Sequence, residues 1–215
     1  QKEIALELID QLGAGDRLQV ISFSNSYHEL WESSVEYSGE NVAKAISFIE
    51  GLSAGGGTNL LGAINASLAQ EAQDLTRIYV FLTDGFITNE QEIFNSLKAA
   101  DQDLKLFTFG AGGSVNHFFL DEAATIGNGF STVVTQGENS TQMASEAWET
   151  IEAPQLSNLR FSFQNTEVWS ILKPKSKNLF KGQNWQAYGK YVGKGKDTLT
   201  FTGDIGGEPW SLSKE

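Results

Sequence analysis

The stretch Arg77-Ile-Tyr-Val-Phe-Leu-Thr-Asp-Gly85 constrains this chain more than any other. Ile78 to Leu82 is an unbroken apolar run with β-branched and aromatic members, and it stops abruptly at Thr83-Asp84-Gly85. A run without polar alternation predicts a strand buried on both faces, hence a parallel sheet covered by helices. Open sheets of that kind place ligands beyond the carboxyl ends of their strands, where Asp84 falls. Asp and Gly are also ordinary turn residues, so this stretch alone leaves a turn-capping role for Asp84 equally open.

The flanking sequence supplies the rest of such a fold. Lys2 to Leu12 carries Ile4, Leu8 and Leu12 four apart, the stripe of an amphipathic helix ended by Gly13-Ala14-Gly15-Asp16. Arg17–Phe23 reads as a strand and His28–Trp31 as a short edge strand. Asn41–Leu52 reads as a helix, Ser53–Gly57 as a glycine-rich loop, and Thr58 or Asn59 as the start of the next helix. After the pivotal strand, Asn89–Ala100 reads as a helix with Asn89 as N-cap and Glu92 as its capping-box partner. Leu104–Phe109 is a strand, Ser114 can cap a helix reaching Ile126, Gly129–Val134 is a strand, and Ser140–Ile151 a closing helix. Strands alternating with helices imply right-handed βαβ units and an α/β, doubly wound, mostly parallel sheet flanked by helices over residues 1–152. Past Ala153-Pro154 helical signal ends. Asn158–Phe163, Glu167–Leu172, Gln186–Val192 and Thr198–Thr202 read as strands of a small antiparallel β segment, 153–215. Alone it is short for a stable sandwich, so it is expected to dock on another domain or complete one.

Composition narrows the function classes. Forty per cent apolar and 20% charged residues is a globular balance. A net charge of −12 argues against nucleic acid and anionic membrane surfaces as partners. There is no cysteine, hence no disulfide framework and no thiol chemistry. Gln1–Asp10 has neither the basic nor the apolar region of a signal peptide, and no apolar run approaches the roughly 20 residues that span a bilayer, so no membrane insertion is expected.

Few stretches could carry chemistry. Gly51-Leu-Ser-Ala-Gly-Gly-Gly-Thr58 nearly matches a phosphate-binding loop, but it has glycine where lysine is needed and follows a helix. Gly110-Ala-Gly-Gly is an incomplete dinucleotide fingerprint. His28 and His117 lie on different elements, without a nucleophile beside them. Asn65-Ala-Ser and Asn139-Ser-Thr match a glycosylation pattern common by chance. Trp148, Trp169, Trp185 and Trp210 read as core and inter-domain packing. What remains is Thr58, past a glycine loop at a helix start, and Asp84, at the end of a strand. A hydroxyl and a carboxylate are hard oxygen ligands, suited to Mg2+ or Ca2+ rather than zinc.

The succession Gly-Asp-Arg-Leu-Gln-Val-Ile-Ser-Phe-Ser, Gly-Gly-Gly-Thr-Asn-Leu, Val-Phe-Leu-Thr-Asp-Gly and Phe-Thr-Phe-Gly-Ala-Gly resembles a von Willebrand factor type A domain over about residues 1–152. Gly-Ser-Val-Asn-His-Phe-Phe-Leu at 113–120, Ile-Glu-Ala-Pro-Gln-Leu-Ser-Asn-Leu at 151–159, and Asn-Leu-Phe-Lys-Gly-Gln with Tyr-Gly-Lys-Tyr in 178–191 are similar to the inter-alpha-trypsin inhibitor heavy-chain group. The resemblance implies a metal-ion-dependent adhesion site built from an Asp-x-Ser-x-Ser strand, a Thr and an Asp. Thr58 and Asp84 match the last two pieces, and the Asp-x-Ser-x-Ser piece is absent from this chain. Its strand would lie between Arg17–Phe23 and Arg77–Leu82, so upstream residues or another chain are expected to supply it.

The resemblance further implies a non-enzymatic adhesion module, which binds a protein ligand through an exposed carboxylate at Mg2+ or Ca2+, in an extracytoplasmic setting. The alternative is a metal-free structural or assembly spacer of a larger secreted or surface protein. No nucleophile–base or carboxylate pair is placed as hydrolysis requires, so enzymatic activity is not expected.

Overall fold

In a computed structural model, which describes residues 1–53, 55, 57, 59–70, 75–83, 87, 89–100, 104–113 and 115–215, the first apolar stripe forms α1 (Lys2–Asp10) and buries Ile4, Leu8 and Ile9. The expected strand Arg17–Phe23 is divided. It forms β1 (Arg17–Leu18) and β2 (Ile21–Phe23), which pair antiparallel with β4 (Val35–Glu36) and β3 (Tyr27–Glu29) respectively. Gln19 explains the break, because its Oε1 accepts from the N–H of Val20 at 2.9 Å and of Trp31 at 3.3 Å. A side chain thus takes bonds that a ladder would otherwise make.

The helix α2 (Gly39–Gly51) follows, with the Ser38 hydroxyl accepting from Asn41 N at 3.2 Å as its N-cap. Next come α3 (Leu60–Ala69), β5 (Ile78–Thr83), α4 (Glu90–Ala99), β6 (Lys105–Ala111), α5 (His117–Ile126), β7 (Ser131–Val134) and α6 (Ser140–Glu152). β5, β6 and β7 form a parallel sheet in that order, with Leu82 opposite Phe109 and Thr108 opposite Ser131. Alternate residues of β5 enter different clusters. Tyr79 and Phe81 pack with Leu60, Ile64, Ile93, Phe119 and Leu120 from α3, α4 and α5. Val80 and Leu82 pack with Ile4, Leu8, Ala144 and Ala147 from α1 and α6. Helices therefore cover both faces, as an α/β, doubly wound architecture requires.

The pivotal strand, covered on both faces, is less enclosed than its neighbour β6. Ile78 is 39% exposed and Tyr79, Val80 and Leu82 are half-buried, whereas Leu106 to Gly110 of β6 are all buried. The reason is position: among the described residues β5 pairs only with β6 and has an open outer edge, while β6 is flanked on both sides. β2 and β5 are not paired with each other. Thr108, fully buried in β6, donates its hydroxyl to Leu120 O at 3.1 Å, which satisfies the polar group inside the core.

Two caps differ from expectation. Asn89 makes no side-chain cap bond; its Nδ2 donates instead to Glu92 Oε2 at 3.4 Å. α5 is capped by Asn116, whose Oδ1 accepts from Phe119 N at 3.1 Å, and Ser114 lies outside the described residues.

The residues divide into two compact units, Gln1–Trp148 and Glu149–Glu215. In the second, β8 (Leu156–Phe163), β11 (Leu199–Ile205) and β12 (Glu208–Lys214) make an antiparallel sheet with β11 in the middle. β9 (Glu167–Leu172) and β10 (Tyr188–Val192) form a separate hairpin. β12 is an addition to the expected set. Gly206 and Gly207, at φ 60° and 86°, make the tight turn that returns the chain along β11. Phe161, Trp185 and Phe201 meet ring to ring at 5.4–6.4 Å, so Trp185 is a packing residue of this unit. Trp169 is 40% exposed and does not follow the packing expectation.

Candidate functional site

Both candidate ligands, Thr58 and Asp84, lie outside the described residues. Their described neighbours define the surroundings. β2 ends in a turn, Ser24-Asn25-Ser26, closed by Ser24 N donating to Ser26 O at 2.8 Å. Asn25 Oδ1 accepts from Gly57 N at 2.6 Å, and Asn59 N donates to Ser24 O at 2.6 Å. Asn59 also donates its Nδ2 to Asn25 O at 3.4 Å and caps α3 by accepting from Gly62 N at 3.4 Å. The far end of the glycine loop is thereby pinned to the carboxyl end of β2. Of the two helix starts read in the sequence, the structure uses Asn59.

Leu60, first residue of α3, is 1% exposed, and Ile87, just past the end of β5, is also 1% exposed. Both belong to one cluster with Phe81, and Phe23 of β2 packs against it. Leu60 and Ile87, two and three positions beyond the candidates in the chain, thus share one buried cluster. Thr83, the last residue of β5, is buried and stands opposite Gly110.

Farther along, Asn116 ties two helix starts together: its Nδ2 donates to Glu90 Oε1 at 2.6 Å while its Oδ1 caps α5. Glu138, just past β7, accepts from the N–H and hydroxyl of Thr135 at 2.6 and 2.8 Å. The backbone N–H of Thr135, then its hydroxyl, hold the Glu138 carboxyl below its ordinary value. Both carboxylates are thus committed to local structure. Among the described residues no group of three or more His, Cys, Asp or Glu could hold a metal ion.

The other sequence candidates resolve into structure. The glycine loop near-match to a phosphate site begins on α2, which runs through Gly51, so no strand feeds it. Gly110 lies within β6, where an added Cβ would stand 2.7 Å from Leu120 Cδ1; it is glycine so that α5 can pack closely. His28 is exposed with its ring 5.7 Å from Phe48, and His117 is exposed at the start of α5. Asn25 was not legible as a site residue. Its partner is 32 positions away, and no local pattern announces such a bond.

Comparison with known proteins agrees with this architecture. The chain is 28% identical over 215 residues to human inter-alpha-trypsin inhibitor heavy chain H4, covering 94% of this chain and 23% of that protein. It is 26% identical over 214 residues to the mouse heavy chain 4, covering 92% and 22%. The chain thus spans under a quarter of the length of these relatives. A von Willebrand factor type A structure from Catenulispora acidiphila superposes with a TM-score of 0.65 at 13% identity, covering 99% of this chain and 59% of that one. An aerotolerance-related membrane protein from Bacteroides fragilis gives a TM-score of 0.55 at 17% identity, covering 69% and 84%. At these identities the two structures speak for the fold alone. The sequence pattern of the von Willebrand factor type A domain matches residues 3–133, more than half of the chain, and with the helix-covered parallel sheet in place the chain belongs to the von Willebrand factor type A domain family.

Proposed function

We propose that this chain is a non-enzymatic protein-binding module with a rim site for Mg2+ or Ca2+, in which Thr58 and Asp84 are two of the oxygen ligands and the protein partner offers an exposed carboxylate. The observation that carries the reading is the burial of Leu60, Phe81 and Ile87, close neighbours of the two candidates in the chain, in a single cluster. A hydroxyl and a carboxylate fit a hard cation in kind. In number they fall short, because such ions take six or more oxygens. The proposal therefore includes the Asp-x-Ser-x-Ser strand, supplied by upstream residues or another chain. Two features support it: among the described residues β5 keeps one edge unpaired, and β2 pairs only with β3.

A bound ion would supply an electrophilic centre that a carboxylate completes. This chain would hold it through Thr58 and Asp84, while Asn25 and Asn59 fix the glycine loop against β2. An extracytoplasmic location belongs to the same proposal and rests on the resemblance to the heavy-chain group. Among the described residues no helix is long and apolar enough to cross a membrane.

The test is calorimetric titration of the full-length protein with Mg2+, comparing wild type with Asp84→Ala and Thr58→Val. Asp84→Ala is expected to weaken binding at least about tenfold with the fold intact. Equal affinities would remove the cation and leave the metal-free spacer reading.

A further inference from the structure

The whole-chain charge of −12 conceals an opposite local charge. Between Glu167 and Asp197 lie seven of the chain's 15 basic side chains, all lysines from Lys173 to Lys196, and no Asp or Glu. All seven are exposed. This stretch contains most of β9, the long loop after it and all of β10.

The same hairpin is apolar where it meets solvent. Tyr188, Tyr191 and Val192 of β10 are 65%, 67% and 66% exposed, and Leu172 of β9 is 71% exposed. Exposed apolar side chains gathered on one element mark an interaction surface. Between the hairpin and the β8–β11 part of the sheet runs a groove of about 560 Å3. Its walls include Phe161, Val168, Ile171, Trp185 and Tyr191, with one carboxylate, Asp197, which accepts from the N–H groups of Thr166 and Thr198. Among the described residues β10 pairs only with β9, so its outer edge presents backbone N–H and C=O groups with no strand beside them.

We propose that the β9–β10 hairpin and its aromatic groove form a docking surface for an extended, acidic polypeptide segment of a partner protein. The segment adds as a strand along β10, with apolar side chains at alternate positions entering the groove and Asp or Glu between them. Three features select this occupant together. A strand satisfies the open edge, as in other cases of strand addition. The period of two puts apolar side chains on one face and charges on the other. The lysine-rich stretch, in which Lys196 is paired with Glu215 at 3.5 Å, carries a local positive excess that favours a negative partner. An anionic bilayer would meet the lysines but leave the edge's backbone groups dehydrated and unpaired. An anionic polysaccharide would meet the lysines but bring no apolar side chains to the groove. This surface is independent of the proposed cation rim.

The test uses the whole chain and a fluorescein-labelled decapeptide alternating Val or Phe with Glu or Asp. Comparison probes are the same peptide with Lys at the acidic positions, the acidic peptide N-methylated at alternate residues, phosphatidylserine vesicles and heparin. The acidic peptide is expected to bind, with affinity falling as salt rises. Lys173→Glu/Lys190→Glu, a pair of exposed positions, is expected to weaken it about tenfold. Tyr191→Ser should weaken it too, and N-methylation should abolish binding. Circular dichroism of each variant checks the fold. No binding of the acidic peptide, equal binding of the Lys peptide, a charge-reversal effect under about twofold, or binding to vesicles or heparin alone would each overturn the proposal.

Discussion

Phe118 and Phe119 are neighbours on α5 with opposite surroundings, and they offer a sharp test of the packing. Phe119 is 0% exposed, stacked on Phe94 at 5.6 Å with an interplanar angle of 18°, inside the cluster that holds Leu106, Leu120 and Ile93. Phe118 is 64% exposed and touches Phe94 only edge-on, at 6.2 Å. Removing a fully buried phenylalanine ring costs its transfer free energy plus the cavity left behind, about 3–5 kcal/mol. That is a large part of a typical total of roughly 5–15 kcal/mol. Removing the outer ring should cost about 0.5 kcal/mol. Phe119→Ala is therefore expected to lower the melting temperature by roughly 10 °C, and Phe118→Ala by no more than about 2 °C. Every helix among the described residues begins within Gln1–Trp148, so urea and thermal melts followed by far-ultraviolet circular dichroism report on this unit. The urea slope should stay constant while the midpoint moves. Equal losses for the two variants, or a cost below about 1.5 kcal/mol for Phe119→Ala, would refute the assignment of α5's inward face.

Other outcomes follow from single contacts. At Gly129 an added Cβ would run into Leu106 O and stand 2.7 Å from its carbonyl carbon, backbone atoms of the central strand. Gly129→Ala should cost about 3 kcal/mol, while Gly113→Ala, with nothing within 4 Å, should cost under about 0.5 kcal/mol; similar thermal shifts would contradict the close approach. Asp197 is held at about 2, first by the Thr166 side chain and then by the backbone N–H groups of Thr198, Asn165 and Thr166. Because the folded value is depressed below the ordinary 3.8, its contribution is present above that value and lost as pH falls from about 4 through about 2. Carboxyl NMR should place its titration below that of free aspartate, and Asp197→Asn should remove this step from the acid unfolding of the β unit; a midpoint at or above 3.8 would contradict the bonds.

The amphipathic stripes of α1 and α2, the apolar run of β5, the alternation of strands with helices and the change of pattern near residue 153 are local, one-dimensional signals, and the sequence alone carried them. The motif succession likewise pointed to the family. β12 was also within reach, since Gly206-Gly207 between Ile205 and Glu208 is a two-residue hairpin signal. Tertiary structure decided what depends on neighbours. Burial is set by a strand's place in the sheet rather than by its own hydrophobicity, which is why β6 and not β5 became the enclosed strand. Gln19 broke a run that reads as continuous, because its side chain accepts from the N–H of the next residue, Val20, and from that of Trp31 on a neighbouring segment. Phe118 and Phe119 are indistinguishable as letters, and only the helix's rotation against β6 sends one inward. Thr58 and Asp84 were read from the chain as hard-ligand candidates, whereas Asn25, which accepts from Gly57 N of the glycine loop, emerged only when folding brought distant segments together.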